Sequence, residues 1–474
     1  MNSEIQKLTI LHTNDIHSLF ENMPKIATIF RDFEQKLPNE KLLKIDCGDH
    51  MDRMRVETEG SYGLANIEIL NRTGYEAVTL GNNEGLTFEP SLLSELYKKH
   101  ADFQVIGSNI YDLKSNKIPS WMKPYLIIKK GKLKVGIVGV TINFSLFYEL
   151  LGLDVKEPLE VIRTLVEELR PQVDMIIIIS HLGLPTDQRM AKEIKGIDCI
   201  LGAHTHHLLE EPLFIGDAMI CAAGKLGQYV GVAELEFDFE NHRMLSANAR
   251  CINVSSYSND AEIEDTIRKY KEIGIKKLSE PIAELEQTLQ ISWNKESPLG
   301  NLLAQGLKNW TGAQIGIVNS GQILKPLYQG RITREILLEI CPSPINPCRM
   351  WLKGKQIREA CEQALLPEFQ QKSIRGFGFR GEVLGILNFD GMKVEYLNGK
   401  VMDIWVENER LVEEQEYLVG TIDMFTFGIG YHSLKEGRDI KFYLPEFLRD
   451  VLLDQIQNPE EILRSSNLRW IERG

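Results

Sequence analysis

Along the first half of the chain, short apolar and β-branched runs alternate with stretches of helical spacing, and the runs end abruptly in segments rich in Gly, Asp, Asn or His. Buried parallel strands read as continuous hydrophobic runs, and a sheet built from them delivers polar side chains at its rim. Strands are predicted at 8–13, 41–45, 77–80, 103–107, 133–140, 175–180 and 199–202, with 219–223 and 230–239 closing the domain. Between them, 25–36 carries Ile26, Ile29, Phe30 and Phe33 on one helical face, 60–73 reads as a second helix and 159–169 as another. This alternation argues for a layered α/β sandwich.

A charged stretch at 260–278 carries Ile263, Ile267, Tyr270 and Ile273 at helical spacing and reads as a packed connector between domains. Length agrees, because 474 residues exceed what one core usually supports. The expected division is 1–257, a helical linker at 258–280, and 281–474. In the second half the pattern predicts a helix at 299–310, a strand at 314–319 and a helix at 354–366 after the proline-rich Pro342-Ser343-Pro344. Strands follow at 394–396, 401–406 and 417–422, then helices from Pro445 onward, without internal repeat or low-complexity tract.

Composition changes this picture mainly by exclusion. A hydrophobic fraction of 43% and a charged fraction of 26% are those of ordinary globular protein. The formal charge of -13 argues against nucleic acid as a partner, since such surfaces need clustered Lys and Arg. A small phosphate ester is still admissible, because bound cations would dominate the local field. The seven cysteines form no C-x-x-C pair or regular spacing and read as small buried hydrophobes of a reducing compartment. Residues 1–7 lack an apolar leader core and no segment approaches bilayer length, so a cytoplasmic location without a membrane partner is expected.

The candidate chemistry lies where predicted strands end: Leu11-His12-Thr13-Asn14-Asp15-Ile16-His17, Gly48-Asp49, Gly81-Asn82-Asn83-Glu84, His181, and Gly202-Ala203-His204-Thr205-His206. Together these segments read as a two-metal site. Two divalent ions about 3.5–4 Å apart bind and polarise a phosphate and lower the pKa of a shared water. Such a pair needs a bridging carboxylate with oxygen and imidazole ligands around it. In extended chain, Asp15 and His17 are two apart and share a face, as do His204 and His206, so each pair aims at one pocket. Isolated histidines such as His12, His50 and His207 read instead as structural or surface groups.

These motifs resemble the two-domain 5′-nucleotidase family, whose N-terminal half is a calcineurin-like metallophosphoesterase domain. The likeness rests on L-H-T-N-D-x-H at 11–17, D-x-G-D at 46–49, G-Y-x-A-V-T-L-G-N at 74–82, S-H-x-G at 180–183, and a G-H-T/S-H/Q segment at 202–206 in which Ala203 is one extra residue. It implies a four-layer α/β/β/α sandwich followed by a C-terminal α/β (α+β) substrate-recognition domain. By the same resemblance Asp15, His17 and His206 hold one metal, Asn82, His181 and His204 the other, and Asp49 bridges them. The cofactors would be two divalent ions, and Mn, Zn, Fe and Co all suit these ligands. The implied activity is hydrolysis of a small phosphorylated metabolite, 5′-nucleotides among the candidates, by attack of a metal-activated hydroxide, with Asp49 and Asn83 at the catalytic step.

The departures from the family matter as well. Similar enzymes carry G-N-H-E, with the histidine near the scissile phosphate, where this chain has Asn83. An amide donates a neutral hydrogen bond but supplies neither a proton nor a positive charge. General acid catalysis is worth roughly 100- to 10,000-fold, so metals alone leave an active hydrolase. In the C-terminal half, Glu296-Ser297-Pro298-Leu299-Gly300-Asn301-Leu302 matches E-S-x-L-G-N-L, but Leu324 stands in place of an arginine, and so does Lys295. Ser343 falls where an aromatic stacks on the base, and Phe427-Gly428-Ile429-Gly430-Tyr431 lacks the aspartate of G-G-D-G-Y. The candidate substrate contacts are therefore Lys295, the retained Asn319, Lys325, and Phe377, Phe379 and Arg380 of a glycine-rich loop. Two further readings stay open: a weakened, metal-bound sensor of a phosphate ligand, and a structural-metal protein whose C-terminal domain is an interaction module.

Overall fold

The computed structural model describes residues 5–376 and 378–474, and the chain divides into two compact units, Met1–Gly274 and Ile275–Gly474. The first unit is laid out around β1 (Ile5–Thr13), whose Leu8 and Ile10 face one core while Leu11 faces another. Such alternation is the period of a strand buried on both faces. It pairs in parallel with β2 (Leu42–Asp46) and antiparallel with Tyr229–Asp238. The complete sheet runs Arg243–Asn253, Tyr229–Asp238, β1, β2, β3 (Ala77–Thr79), Gln104–Ile106. A second sheet runs Leu213–Ile215, Ala218–Ala222, Cys199–Gly202, Met175–His181, Leu133–Thr141, Leu126–Lys130.

Between the sheets Leu8, Ile10, Leu43 and Ile45 meet Val135, Ile137, Ile177 and Leu201. Helix α1 (Met23–Lys36) covers the outer face of the first sheet through Ile26, Ile29 and Phe30. Helices Pro158–Leu169 and Leu184–Glu193 cover that of the second through Leu159, Ile162, Val166 and Met190. The layers are therefore α/β/β/α, as expected.

Three local expectations are corrected. The stretch 60–73 is not one helix: Tyr62 (φ 53°) and Gly63 (φ 89°) are left-handed, which ends α2 (Val56–Ser61) before α3 (Leu64–Thr73) begins. The Asn82-Asn83 segment is not a loop but the first turn of α4 (Asn82–Thr87), because the Glu84 carboxylate reaches back to accept from Gly81 N–H at 2.9 Å. In the connector helix Ala261–Leu278, Ile263 and Tyr270 are buried in the first unit's core, but Ile273 is 40% exposed. At 3.6 residues per turn the fourth position of that stripe is Gly274, and a Cβ on Gly60 would lie 2.3 Å from Gly274 Cα, so the contact admits no side chain. The boundary between the units falls inside this helix.

In the second unit a five-stranded sheet runs Leu387–Asp390, Ile315–Asn319, Glu416–Ile422, Pro347–Lys353, Arg438–Phe442. Helix Pro298–Thr311 packs on the same core through Leu299, Leu302, Leu303 and Leu307, with Ser297 capping its start and Gly312 (φ 64°) ending it. Beyond Pro445 the expected helices are Leu448–Gln455 and Pro459–Ser465, followed by an unforeseen strand, Trp470–Glu472, pairing with Met392–Leu397. All seven cysteines are free thiols, six of them buried. Among the described residues no helix is long and apolar enough to cross a membrane.

Candidate metal centre

Every candidate ligand sits at or just beyond the C-terminal end of a strand that has a parallel neighbour: Asp15 and His17 after β1, Asp49 after β2, Asn82 after β3, His181 ending Met175–His181, and His204 and His206 after Cys199–Gly202. The pairs do not converge by the extended geometry expected of them. Asp15 (φ 51°), His17 (51°), Asp49 (52°), His204 (72°) and His206 (60°) are all left-handed, so each loop curls at the ligand itself. Asp and His tolerate this region better than most residues. The curls are pinned by backbone bonds: Asp15 N–H to Gly48 C=O at 3.0 Å and His17 N–H to Asp49 C=O at 2.8 Å.

The result is a compact cluster. Ligand atoms of Asp15, His17 and His206 lie within 4.8 Å of one another, as do those of Asp15, Asp49 and His181. His206 Nε2 is 3.5 Å from Asp15 Oδ1 and 3.3 Å from His17 Nε2. Asp49 Oδ2 stands between the two halves, 3.4 Å from His181 Nε2 and 3.9 Å from His17 Nε2, a position suited to bridging. The His204 ring lies 5.2 Å from that of His181, and its backbone N–H donates to Asp15 Oδ2 at 3.0 Å. His181 Nε2 and Asn82 Oδ1 are buried without a hydrogen-bond partner. A divalent cation would satisfy the Asn82 acceptor and would take the place of the proton that Asp49 Oδ2, 3.4 Å away, favours on His181 Nε2. The residues present therefore fit two such ions.

Charges in the cluster are strongly perturbed. Burial opposes ionisation of His181, but the Asp49 carboxylate beside it prevails and pushes the imidazole up to about 10. In turn burial is outweighed at Asp49, held well below the usual carboxylate range by His181. His204 goes the other way, down to about 4, through burial and the charge of His181.

Two carboxylates shape the cluster beyond the candidate ligands: Glu84, which the sequence placed in a candidate segment without a role, and Asp52, which sequence reasoning missed. Glu84, buried, accepts from Asp49 N–H at 3.1 Å, Gly81 N–H at 2.9 Å and Met51 N–H at 2.8 Å, clamping the loop after β2 to the start of α4. Asp52, also buried, lies 3.6 Å from His17 Nδ1. Asn83 donates its backbone N–H to Asp49 Oδ1 at 2.8 Å and points its Nδ2 at His17 Nδ1 at 2.9 Å. Of the histidines read as bystanders, His12 and His50 are buried and His207 is exposed.

The candidate substrate contacts fare differently. Asn319 is fully buried and spends its amide internally, Nδ2 donating to Leu384 C=O at 2.6 Å and Oδ1 accepting from Gln322 at 3.0 Å. Phe379 belongs to the second unit's core, and Lys325 is ion-paired with Glu339. Lys295 is exposed, and Arg380 donates its backbone N–H to Ser343 Oγ at 3.2 Å. Phe377 lies outside the described residues.

Residues 8–208 match the family model for calcineurin-like phosphoesterase and residues 275–436 that for the 5′-nucleotidase C-terminal domain. The uncharacterized metallophosphoesterase YunD of Bacillus subtilis is 38% identical over 457 residues, 94% of this chain and 98% of that protein. Among solved structures, the NAD nucleotidase of Haemophilus influenzae is similar with a TM-score of 0.70 at 17% identity, covering 99% of this chain and 100% of that one. The 5′-nucleotidase precursor of Thermus thermophilus gives 0.61 at 23%, covering 98% and 99%. At those identities the structures speak for the fold alone. The chain therefore belongs to the two-domain 5′-nucleotidase family, a calcineurin-like phosphoesterase domain followed by a 5′-nucleotidase C-terminal domain, and metal-dependent phosphoester hydrolysis is the reaction that membership supports.

Proposed function

We propose that the protein hydrolyses a small phosphorylated metabolite, with 5′-nucleotides among the candidates, in the cytoplasm. Asp15, His17 and His206 would hold one divalent ion and Asn82, His181 and His204 a second, with Asp49 between them. When bound, such ions supply a water of lowered pKa and a Lewis acid for the phosphoryl oxygens. The chain's own residues do the rest. Glu84 anchors the Asp49 backbone N–H, the Asn83 N–H fixes the Asp49 carboxylate, and Cys47 C=O accepts from His181 Nδ1 at 2.8 Å and so leaves Nε2 to ligate. The Asn83 amide orients through hydrogen bonds and transfers no proton. The observation that carries this reading is the convergence of acids and imidazoles drawn from both sheets, Asp15, His17 and His206 in one group and Asp15, Asp49 and His181 in another, with the buried acceptor Asn82 Oδ1 unpartnered.

The test is a screen of phosphorylated metabolites with Mn2+ added to the full chain. Turnover is expected, and Asp49→Ala should abolish it. A second reading, a metal-bound sensor of a phosphate ligand, is favoured by Asn83 alone. It wins if two ions bind and no phosphorylated metabolite is turned over.

A further inference from the structure

His181 and His17 present their Nε2 atoms to the same cluster, but what lies behind the rings differs. Behind His181 is a carbonyl that only accepts, so Nδ1 keeps its hydrogen and Nε2 is the atom that yields its proton to a cation. Behind His17 are two neighbours, Asn83 Nδ2 at 2.9 Å and Asp52 Oδ2 at 3.6 Å. They ask for opposite tautomers. An amide N–H donates, so Asn83 in this orientation favours a bare Nδ1 with hydrogen on Nε2, a ring unable to ligate through the atom that faces Asp15 and Asp49. A carboxylate only accepts, so Asp52 favours Nδ1–H and a free lone pair on Nε2.

Asp52 is built to stay in place. It is 1% exposed, its Oδ1 accepts from Met54 N–H at 3.0 Å, and its own N–H donates to Ser18 Oγ at 2.8 Å. Ser18 Oγ in turn accepts from Asn66 Nδ2 at 3.0 Å. The side chain of Asn83 has another use for its donor, Met51 C=O at 3.4 Å. Its release from Nδ1 therefore does not strand the amide. The 3.6 Å between Asp52 and Nδ1 is just beyond hydrogen-bond length, as suits a ring whose Nδ1 is engaged by the amide instead.

We propose that Asp52 is a positioning residue of the metal centre: it accepts from His17 Nδ1–H and thereby selects the tautomer in which His17 holds a cation, against the pull of Asn83. This rests on the metal reading above. Carboxylates behind ligating imidazoles are a recurrent means of orienting them, and losing one typically costs about 10- to 100-fold in metal affinity.

Calorimetric titration of Zn2+ into the metal-free full chain, combined with long-range 1H–15N imidazole spectra of the loaded protein, tests it. The wild type should take two ions and show His17 protonated on Nδ1. Asp52→Asn keeps the shape and the Met54 contact but turns an amide N–H toward Nδ1. It should weaken one ion by about 10- to 100-fold and leave the other unchanged. Asn83→Ala should hold that same ion at least as tightly as the wild type. The inference is overturned by hydrogen on His17 Nε2 in the loaded wild type, by D52N binding both ions normally, or by D52N and N83A weakening the ion equally, which would mark mere packing. Should D52N fail to fold, the wild-type tautomer decides. A wild type that takes no ion overturns the metal reading itself.

Discussion

Replacing Glu84 by alanine asks whether the cluster is held by the clamp beneath it. The side chain is 2% exposed and its two oxygens accept from three backbone N–H groups, those of Met51, Asp49 and Gly81. Alanine leaves all three donors buried and unpaired, at about 1–3 kcal/mol each, or roughly 3–9 kcal/mol if nothing relaxes. Water entering the vacated space recovers part of this, so about 3–5 kcal/mol is expected, a large share of the ~5–15 kcal/mol typical of a folded protein. Two of the freed N–H groups flank the Asp49 carboxylate, so Mn2+ binding should weaken together with stability. Urea unfolding of the metal-free protein gives the first quantity and calorimetry the second.

Glu84→Gln provides a pH-resolved control. Burial, and then the charge of Asp49, push the Glu84 acid up to about 7 from an ordinary 4.5. A carboxylate raised in the folded state destabilises as pH climbs from the unfolded value to the folded one. Glutamine does not titrate, so the metal-free wild type should lose stability relative to E84Q between about pH 4.5 and 7. An E84A protein that unfolds within about 1 kcal/mol of the wild type and takes Mn2+ normally would refute the clamp, given that surface-like changes stay near ±0.5 kcal/mol.

Other consequences are checked as directly. With His181 held near 10 by Asp49, a cation must displace its proton, so binding at pH 8 should release about one proton, read by calorimetry in buffers of different ionisation enthalpy. The same pair contributes most between about pH 4, below which the lowered Asp49 carboxylate begins to lose its share, and about 6.5, and progressively less as pH rises toward about 10, which thermal unfolding against pH would reveal. In Gly81→Ala the new Cβ would lie 2.0 Å from Asp49 Oδ1 and 2.5 Å from Asp49 N. Such overpacking costs about 1–3 kcal/mol and should displace the carboxylate, and an unchanged Mn2+ stoichiometry would contradict it. Asn319→Ala should cost about 1–3 kcal/mol of stability by leaving the buried Gln322 amide without its oxygen acceptor, while Leu384 C=O keeps Gly321 N–H at 3.1 Å, with KM left within about twofold. A large rise in KM at unchanged stability would restore Asn319 to substrate binding.

What the sequence revealed of this site was residue type and position relative to strands. Asp15, Asp49, His181 and His204 stood out because polar ligands directly follow apolar runs, and that pattern survives folding. Backbone conformation was illegible, since the period-two argument presumes extended chain and Asp15, His17, His204 and His206 are all left-handed. The role of Glu84 within its segment, and Asp52 altogether, escaped for a different reason: a carboxylate looks like solvated surface until burial and partners are known. Asn319 is the converse, a suggestive residue whose side chain turns inward. Ile273 misled because it lies one position short of the buried stripe, where Gly274 makes room for Gly60.

The left-handed backbone at Asp15, His17, Asp49, His204 and His206 has a bearing on engineering. Such conformations disfavour any side chain relative to glycine, by roughly 1 kcal/mol each. A library screened only for heat resistance should enrich glycine first at the exposed His206, since the Asp15 and Asp49 carboxylates are tied down by the backbone N–H groups of His204 and Asn83. Hardier clones from it would be blanks, so any selection for robustness in this protein has to be coupled to retention of its ions.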